Sequence, residues 1–332
     1  MTRLTIAIPN YNGGRNLHRA IESCKKIKIP LNDYEILIVD NCSTDNSIDT
    51  INELNGEFSN LVLIQNKENV GRIQNWNVCL QHARGEFLIF LFSNDMINEQ
   101  NNIDNILEIL EKKKNISIGY SSLLKKETDN SYIKKLFSDK IIECSSRLFA
   151  QQCLSRGLLP FGPIQSIIYR MGDIRKDKNN FRPDMPITAD QIFTYKEACK
   201  REKILFNPNP QITWDLTEDR FHGQMKIEDE FKEHSETMKI ITKEIGFEVD
   251  YGLVSTYRAI NLLKFSIKNL KNDGKKQAIS ELLSKIKENK SFFKTDKILF
   301  NTFMNKLKNS EKDADDIIYS EIINKCKKEI IG

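Results

Sequence analysis

The sequence predicts an α/β protein with a doubly wound, mostly parallel central sheet and a helical carboxyl-terminal extension. Two observations carry this prediction. Through residues 1–120, short apolar runs alternate with segments of helical period, and each run stops at a polar or turn-forming residue. This alternation is typical of parallel strands joined by helices. Beyond Phe231 almost every segment has helical period. We therefore expect one domain over residues 1–225 and a helical extension over residues 226–332.

The predicted elements follow one another in a regular order. Apolar runs predict strands at residues 4–8, 35–39, 61–65 and 87–92, and helical spacing predicts helices at 16–26, 47–54, 72–83 and 103–113. Further on we expect a strand at 166–169 and a helix from Thr188 to about residue 200, whereas 114–150 has no clear pattern. Because crossovers between parallel strands are right-handed, the carboxyl ends of the strands should lie along one edge.

Composition narrows the class of protein. The 332 residues are 39% hydrophobic and 29% charged, enough for a sizeable core. The sequence has no run of eighteen apolar residues and no signal-peptide pattern at its start, and its seven cysteines have neither disulfide nor zinc spacing. We therefore expect a cytoplasmic protein without a membrane span.

The charge is unevenly distributed along the chain. The net charge of +4 does not predict nucleic-acid binding, but residues 251–332 hold 17 Lys and Arg against 10 Asp and Glu. This excess is typical of solvated helix faces. Peripheral contact with an anionic membrane surface and a homodimer face are the alternatives.

Two carboxylates follow predicted strands directly. Asp40 ends the second strand, and Asp95 lies just beyond the fourth. Asp is favoured wherever a strand turns, so either one could be only a turn former. Carboxyl ends of strands in open α/β sheets also form the ligand crevice, which makes a binding site the second interpretation. Signatures of other enzyme classes, namely the P-loop, the dinucleotide fingerprint and the hydrolase elbow, are not in the sequence.

Four segments in residues 4–95 together resemble family 2 glycosyltransferases, in the family's order and approximate spacing. A looser resemblance continues at residues 161–166 and 217–223. The four segments are Ile8-Pro9-Asn10-Tyr11-Asn12, Val39-Asp40-Asn41-Cys42-Ser43-Thr44-Asp45, the stretch from Asn69-Val70-Gly71-Arg72 through Asn75-Trp76-Asn77 to Ala83-Arg84-Gly85-Glu86-Phe87, and Phe92-Ser93-Asn94-Asp95.

This resemblance implies a GT-A type fold, with a donor half at about residues 1–100 and an acceptor half at about 101–225. It also implies inverting transfer of a sugar from a nucleotide-sugar, most simply a UDP-sugar, to a hydroxyl of a glycan or lipid-linked acceptor in bacterial surface-polysaccharide synthesis. The implied nucleotide-sugar-binding residues are Pro9, Asn10, Tyr11, Asp40, Asn69, Gly71, Arg72, Asn77, Asn94 and Asp95. The implied acceptor-side residues are Gly162, Pro163, Gln165 and Arg220.

A divalent metal, Mn or Mg, is expected on Asp95 with His222 as a further ligand. Family members usually carry two or three Asp where this chain has Phe92, Asn94 and Asp95, so Asp95 alone could bind as a carboxylate and the metal should bind weakly. The alternative for His222 is a solvated loop histidine, and Arg220 could instead contact the diphosphate.

Asp190 is the expected catalytic base, matching the second member of an acidic pair whose first position is Ala189 here. The alternative is that Asp190 only complements the helix dipole, within a capping box formed by Thr188 and Gln191.

Two other functions of the protein stay open at this point. One is a nucleotidyltransferase. The other is a catalytically weakened binding or scaffold protein, which the presence of a single Asp in the acidic motif would favour.

Overall fold

The computed structural model describes residues 2–126, 131–134, 139–155, 159, 161–216 and 227–248. The described residues fall into two compact units. One holds residues up to 147 together with 161–216, and the other holds 148–159 together with 227–248.

The first unit contains two sheets connected by helices. The strands, numbered along the described chain, are β1 Leu4–Asn10, β2 Tyr34–Asp40, β3 Leu61–Gln65, β4 Phe87–Phe90, β5 Met96–Ile97, β6 Ile116–Ser121, β7 Leu123–Lys126, β8 Ser131–Lys134, β9 Ile142–Ser145, β10 Ile167–Arg170, β11 Lys203–Asn207 and β12 Ile212–Asp215. The helices are α1 Gly14–Ser23, α2 Ser47–Asn55, α3 Arg72–His82, α4 Ile103–Lys112, α5 Ser146–Leu154, α6 Met171–Asp177, α7 Ala189–Ala198 and, in the second unit, α8 Ile227–Ile245. Helix α5 begins in the first unit and continues into the second.

The larger sheet has the strand order β3-β2-β1-β4-β10-β6-β11-β9. Strands β3, β2, β1 and β4 are parallel, which confirms the predicted doubly wound half. Strand β10 is antiparallel to both β4 and β6, so its amino-terminal end lies at the same edge as the carboxyl ends of β1 and β4. This edge therefore collects residues from both halves of the sequence.

The smaller sheet has the order β5-β12-β7-β8. Strand β12 pairs antiparallel with β5 and parallel with β7. The short strand β5 directly follows the 92–95 segment, so this pairing places Trp214 and Asp215 beside that segment.

The burial of β1 and β2 explains why these strands could be predicted from the sequence. All seven residues of β1 and of β2 are buried, because helices cover both faces of a parallel sheet, and most of these residues are apolar. Helix α4 packs so closely on β6 that a Cβ at Gly119 would lie 2.8 Å from Ile106 Cγ2. Glycine at that position lets the helix approach the sheet.

Several elements were not predicted. The 114–150 region, which has no clear pattern in sequence, forms β6, β7, β8 and β9 and the start of α5. Helix α6 was missed because it follows β10 with no intervening turn residues. Strand β4 ends at Phe90, two residues earlier than predicted.

The extension is described only through α8 and residues up to 248. The predictions of membrane contact and of a homodimer face concern the basic residues 251–332, which lie outside the described part. Among the helices that are described, none is both long and apolar enough to cross a bilayer.

Candidate active site

A cavity of about 560 Å³ opens at the edge of the large sheet where the parallel strands end. It is lined by residues at or after the ends of β1, β2 and β4 and at the start of α3, together with residues before β10, at the start of α7 and in β12. The lining residues are Pro9, Asn10, Tyr11, Asn41, Asn69, Gly71, Arg72, Asn75, Trp76, Phe92, Ser93, Asn94, Pro163, Ile164, Gln165, Pro186, Ile187, Asp190 and Trp214.

The cavity brings together many of the residues predicted from sequence. Those that line it are Pro9, Asn10, Tyr11, Asn69, Gly71, Arg72, Asn94, Pro163, Gln165 and Asp190. Four more lie outside the lining, namely Asp40, Asn77, Asp95 and Gly162. Arg220 and His222 lie outside the described residues.

Asp40 lies beneath the cavity wall and organises it. Its carboxylate is 1% exposed. Oδ1 accepts hydrogen bonds from Asn10 Nδ2 at 2.7 Å and from Ser43 Oγ at 2.6 Å, and Oδ2 accepts one from the Ser43 backbone N–H at 2.9 Å. Asn10 is itself fully buried, and its Oδ1 has no hydrogen-bond partner although the residue lines the cavity. Asp40 therefore holds Asn10 in place from behind.

A network of asparagine amides holds the turn before α3. Asn41 Oδ1 accepts from Asn66 Nδ2 and from the Val70 backbone N–H, each at 3.0 Å, and Asn41 Nδ2 donates to Asn69 Oδ1 at 2.7 Å. Asn66 Nδ2 also donates to Asn75 Oδ1 at 2.8 Å. Of these, Asn41, Asn66 and Asn75 were not among the predicted site residues. Asn41 and Asn75 lie within segments already singled out, whereas the sequence signal for Asn66 was only its position directly after β3.

An aromatic wall forms one side of the cavity. The ring of Trp76 lies 5.4 Å from that of Phe92 and 5.3 Å from that of Phe181, and the Arg72 guanidinium lies 5.0 Å from the Trp76 ring. Arg72 also donates a hydrogen bond to the Pro186 carbonyl. A cation stacked on an aromatic face keeps its charge while its position is fixed. Arg72 therefore gives the cavity wall a positioned positive charge.

Asn77 supports this wall from outside the cavity. Its Oδ1 accepts the Phe181 backbone N–H at 2.8 Å, and its Nδ2 donates to the Phe181 carbonyl at 2.9 Å. This two-way pairing ties α3 to the segment before α7. The prediction that Asn77 binds the nucleotide-sugar directly stays untested.

Asp95 occupies the centre of a three-segment junction. It is 1% exposed, its Oδ1 accepts the Asp215 backbone N–H at 3.1 Å, and its Oδ2 accepts Gln165 Nε2 at 3.1 Å. The neighbouring Asn94 lines the cavity and donates from Nδ2 to the Asp215 carbonyl at 3.0 Å. The 92–95 segment therefore presents the Asn94 amide to the cavity, while the Asp95 carboxylate accepts hydrogen bonds from Gln165 and Asp215.

These residues do not fit a resident divalent cation. Mg²⁺ and Mn²⁺ favour several oxygen ligands, usually including at least one free carboxylate. Asp95 is 1% exposed and does not line the cavity, and the described residues contain no group of three His, Cys, Asp or Glu that could hold a metal. His222, the second predicted ligand, lies outside them.

Asp190 is the one carboxylate among the described residues that line the cavity. It lies in the first turn of α7, where the helix dipole favours negative charge. Its Oδ1 accepts the Gln191 backbone N–H at 2.9 Å. The capping box, which was part of the alternative interpretation, does not form, because the Thr188 side chain makes no capping hydrogen bond. The arrangement leaves a carboxylate facing the amide-rich and cationic wall.

Comparison with known proteins identifies the family of the chain. Residues 5–176 match the family model described as glycosyl transferase family 2. A curated relative, poly(ribitol-phosphate) beta-glucosyltransferase of Bacillus spizizenii, is 25% identical over 204 residues, which are 61% of this chain and 30% of the relative. The chain therefore spans less than a third of that relative's length.

Solved structures show the same fold. Staphylococcus aureus TarS 1–349 in complex with UDP-GlcNAc superposes with a TM-score of 0.62 at 18% identity, covering 85% of this chain and 80% of the TarS 1–349 chain. The mannosyltransferase PcManGT of Pyrobaculum calidifontis, in complex with GDP-Man and Mn²⁺, gives 0.52 at 14% identity, with 85% and 79% covered. The predicted GT-A fold is confirmed.

Proposed function

The chain belongs to glycosyl transferase family 2, and we propose that it transfers a sugar from a UDP-sugar to a hydroxyl of a glycan or lipid-linked acceptor in the synthesis of a bacterial surface polymer. The observation that carries this proposal is the placement of Asp190. Among the described lining residues it is the lone carboxylate, and it belongs to the half of the sequence opposite the segments that resemble the nucleotide site.

The donor side of the cavity suits a nucleoside diphosphate. Tyr11 is 50% exposed and offers a ring face on which a base can stack. The amides of Asn41 and Asn69 can hydrogen-bond a base edge. Gly71 and Arg72 place the amino-terminal end of α3 and a guanidinium at the cavity, and both favour the negative charge of a diphosphate.

The proposed reaction is a single displacement. Asp190 accepts the proton of the acceptor hydroxyl, whose oxygen then forms a bond to the anomeric carbon. The bond from that carbon to the diphosphate oxygen breaks, and the nucleoside diphosphate leaves with the electron pair. Attack opposite the leaving group inverts the anomeric centre. The charge of Arg72 favours the departing anion.

The metal remains a prediction rather than a part of this mechanism. A divalent cation on Asp95 and His222 would act as a Lewis acid on the diphosphate. Because the described donors do not fit one, no step above passes through it.

The test compares Asp190→Asn with the wild type. We expect kcat for sugar transfer to fall about 10²- to 10⁴-fold, since one proton-transferring group is removed. Binding of UDP, measured by calorimetry, should be retained. Asp184→Asn is the matched control, because Asp184 is an exposed carboxylate on the segment that precedes α7 and forms an ion pair with Arg182. Full activity in Asp190→Asn would refute the assignment of the base.

The scaffold alternative is favoured by one observation, the absence of a carboxylate from the cavity face of residues 92–94. It predicts UDP binding without turnover in the wild type. If UDP, GDP, CDP and dTDP all fail to bind the wild type, the donor site itself is refuted.

A further inference from the structure

Gly162 lies against the first turn of α7, directly behind Asp190. A Cβ built on Gly162 would lie 3.0 Å from Asp190 Oδ2. It would come still closer to Gln191 Nε2, at a separation that real Cβ atoms essentially never show. The atoms in the way are the ends of side chains and not backbone. A side chain at this position would therefore displace the tips of Asp190 and Gln191 without preventing the fold.

The segment that carries Gly162 cannot easily move away instead. Phe161, before it, is fully buried and packs edge-on against the Tyr195 ring of α7 at 4.8 Å. After it, Ser166 Oγ donates to the Pro163 carbonyl at 2.7 Å, and Gln165 Nε2 donates to Asp95 Oδ2 at 3.1 Å. With the segment held at both ends, added volume at Gly162 must be absorbed by the α7 side chains.

Asp190 has limited freedom to absorb it. Its Oδ1 accepts the Gln191 backbone N–H at 2.9 Å, and its Oδ2 faces Gly162. Crowding at Oδ2 must therefore either turn the carboxylate about this hydrogen bond or push it toward the cavity. Each movement changes the position from which the carboxylate meets an acceptor hydroxyl.

We propose that Gly162 is a positioning residue for Asp190, and that its lack of a side chain sets where the base carboxylate lies in the cavity. The proposal rests on the function proposed above. It concerns a residue that does not line the cavity and acts only through Asp190 and Gln191.

The first variant is Gly162→Ala. Gln191 Nε2 must retreat by about 1 Å and Asp190 Oδ2 by a few tenths of an ångström. Because a misplacement of about 1 Å can cost 10²-fold in rate, we expect the smaller shift of Asp190 to lower kcat roughly 3- to 10-fold, with the donor KM and the affinity for UDP within about twofold of wild type. The control is Gly172→Ala in α6, where an added Cβ meets nothing within 4 Å, and which should leave kcat unchanged.

The second variant separates positioning from a general structural loss. In Gly162→Ala/Gln191→Ala the closest obstructing side chain is removed, and only the 3.0 Å approach of the methyl group to Asp190 Oδ2 remains. We expect kcat to rise above that of Gly162→Ala, because a displaced Gln191 side chain no longer pushes on the first turn of α7. If Gly162→Ala folds too poorly to assay, the double variant is compared with Gln191→Ala, and a lower kcat in the double variant supports the proposal.

Three results would overturn it. These are an unchanged kcat in Gly162→Ala, a loss matched by weaker UDP binding, and a double variant no more active than the single one. Activity in Asp190→Asn would refute the proposed base instead. Normal kcat in Gly162→Ala beside a dead Asp190→Asn would refute only the positioning role.

Discussion

Replacing Asp95 by alanine separates two roles that this carboxylate could have. As a metal ligand alone, Asp95 would contribute little to the stability of the metal-free protein. In the structure it accepts the Asp215 backbone N–H and Gln165 Nε2, each at 3.1 Å, from a position that is 1% exposed. Removing it leaves both donors without this acceptor in a buried place. We therefore expect Asp95→Ala to destabilise the protein even when no metal is present.

The magnitude follows from the two orphaned donors. Each buried donor left unsatisfied costs about 1–3 kcal/mol, so the free energy of unfolding should fall by about 2–6 kcal/mol. For a protein of this size that corresponds to a melting temperature lower by roughly 3 to 9 °C. This is a large part of the ~5–15 kcal/mol that stabilises a typical native state.

The assay is thermal unfolding in excess chelator, followed by circular dichroism. Asn94→Ala is the matched control, because the neighbouring side chain donates one hydrogen bond to the same residue, the Asp215 carbonyl. It should cost only about 0.5–1.5 kcal/mol. A melting temperature for Asp95→Ala equal to that of the wild type in chelator would refute the junction role and leave Asp95 as a ligand.

Two further predictions concern stability. Burial raises the pKa of Glu197 to about 7, against the opposing hydrogen bond from Asn179. The pKa of Glu197 is thus higher in the folded state than in the unfolded state, so protonation of Glu197 stabilises the fold. This stabilisation is fully present below about pH 4.5 and is lost as pH rises through 7. Glu197→Gln should therefore be more stable than wild type by about 2–3 kcal/mol at pH 8 but not at pH 4.5, and equal shifts at both pH values would contradict this. Gly85→Ala should cost about 3 kcal/mol or more, since its Cβ would lie 2.5 Å from the Thr5 backbone N and 2.6 Å from the Phe87 carbonyl oxygen. Gly56→Ala, with nothing within 4 Å, is the control, and equal melting temperatures for the two would refute the close approach.

The first half of the fold could be predicted because its signals are local. Strands β1 and β2 are buried along their whole length and so are mostly apolar, and each ends at a polar residue. The later strands carry no such signal. β6 includes Gly119 and two serines, and β7 ends in two lysines, because these strands are shaped by neighbours distant in sequence.

The candidate site also has a part that could be predicted from the sequence and a part that could not. The resemblance to family 2 glycosyltransferases implied Asn10, Asn69, Gly71 and Asn94 as site residues, and all four line the cavity. The rule that a polar residue after a parallel strand lies at the ligand edge singled out Asp40 and Asp95, which do not line the cavity. The rule cannot say which way a side chain points once it is there.

By itself, the sequence determined the family, the parallel half of the sheet and the edge at which the cavity opens. Strand burial and strand ends depend on residues that are close together in the sequence. The tertiary structure alone decided which carboxylates face the cavity. Asp40 is turned inward by Asn10, 30 positions earlier, and Asp95 by Gln165 and Asp215, 70 and 120 positions later. Asp190 faces the cavity beside a glycine that leaves it room. Such partners meet only in the folded chain, so no local pattern of residues can reveal them.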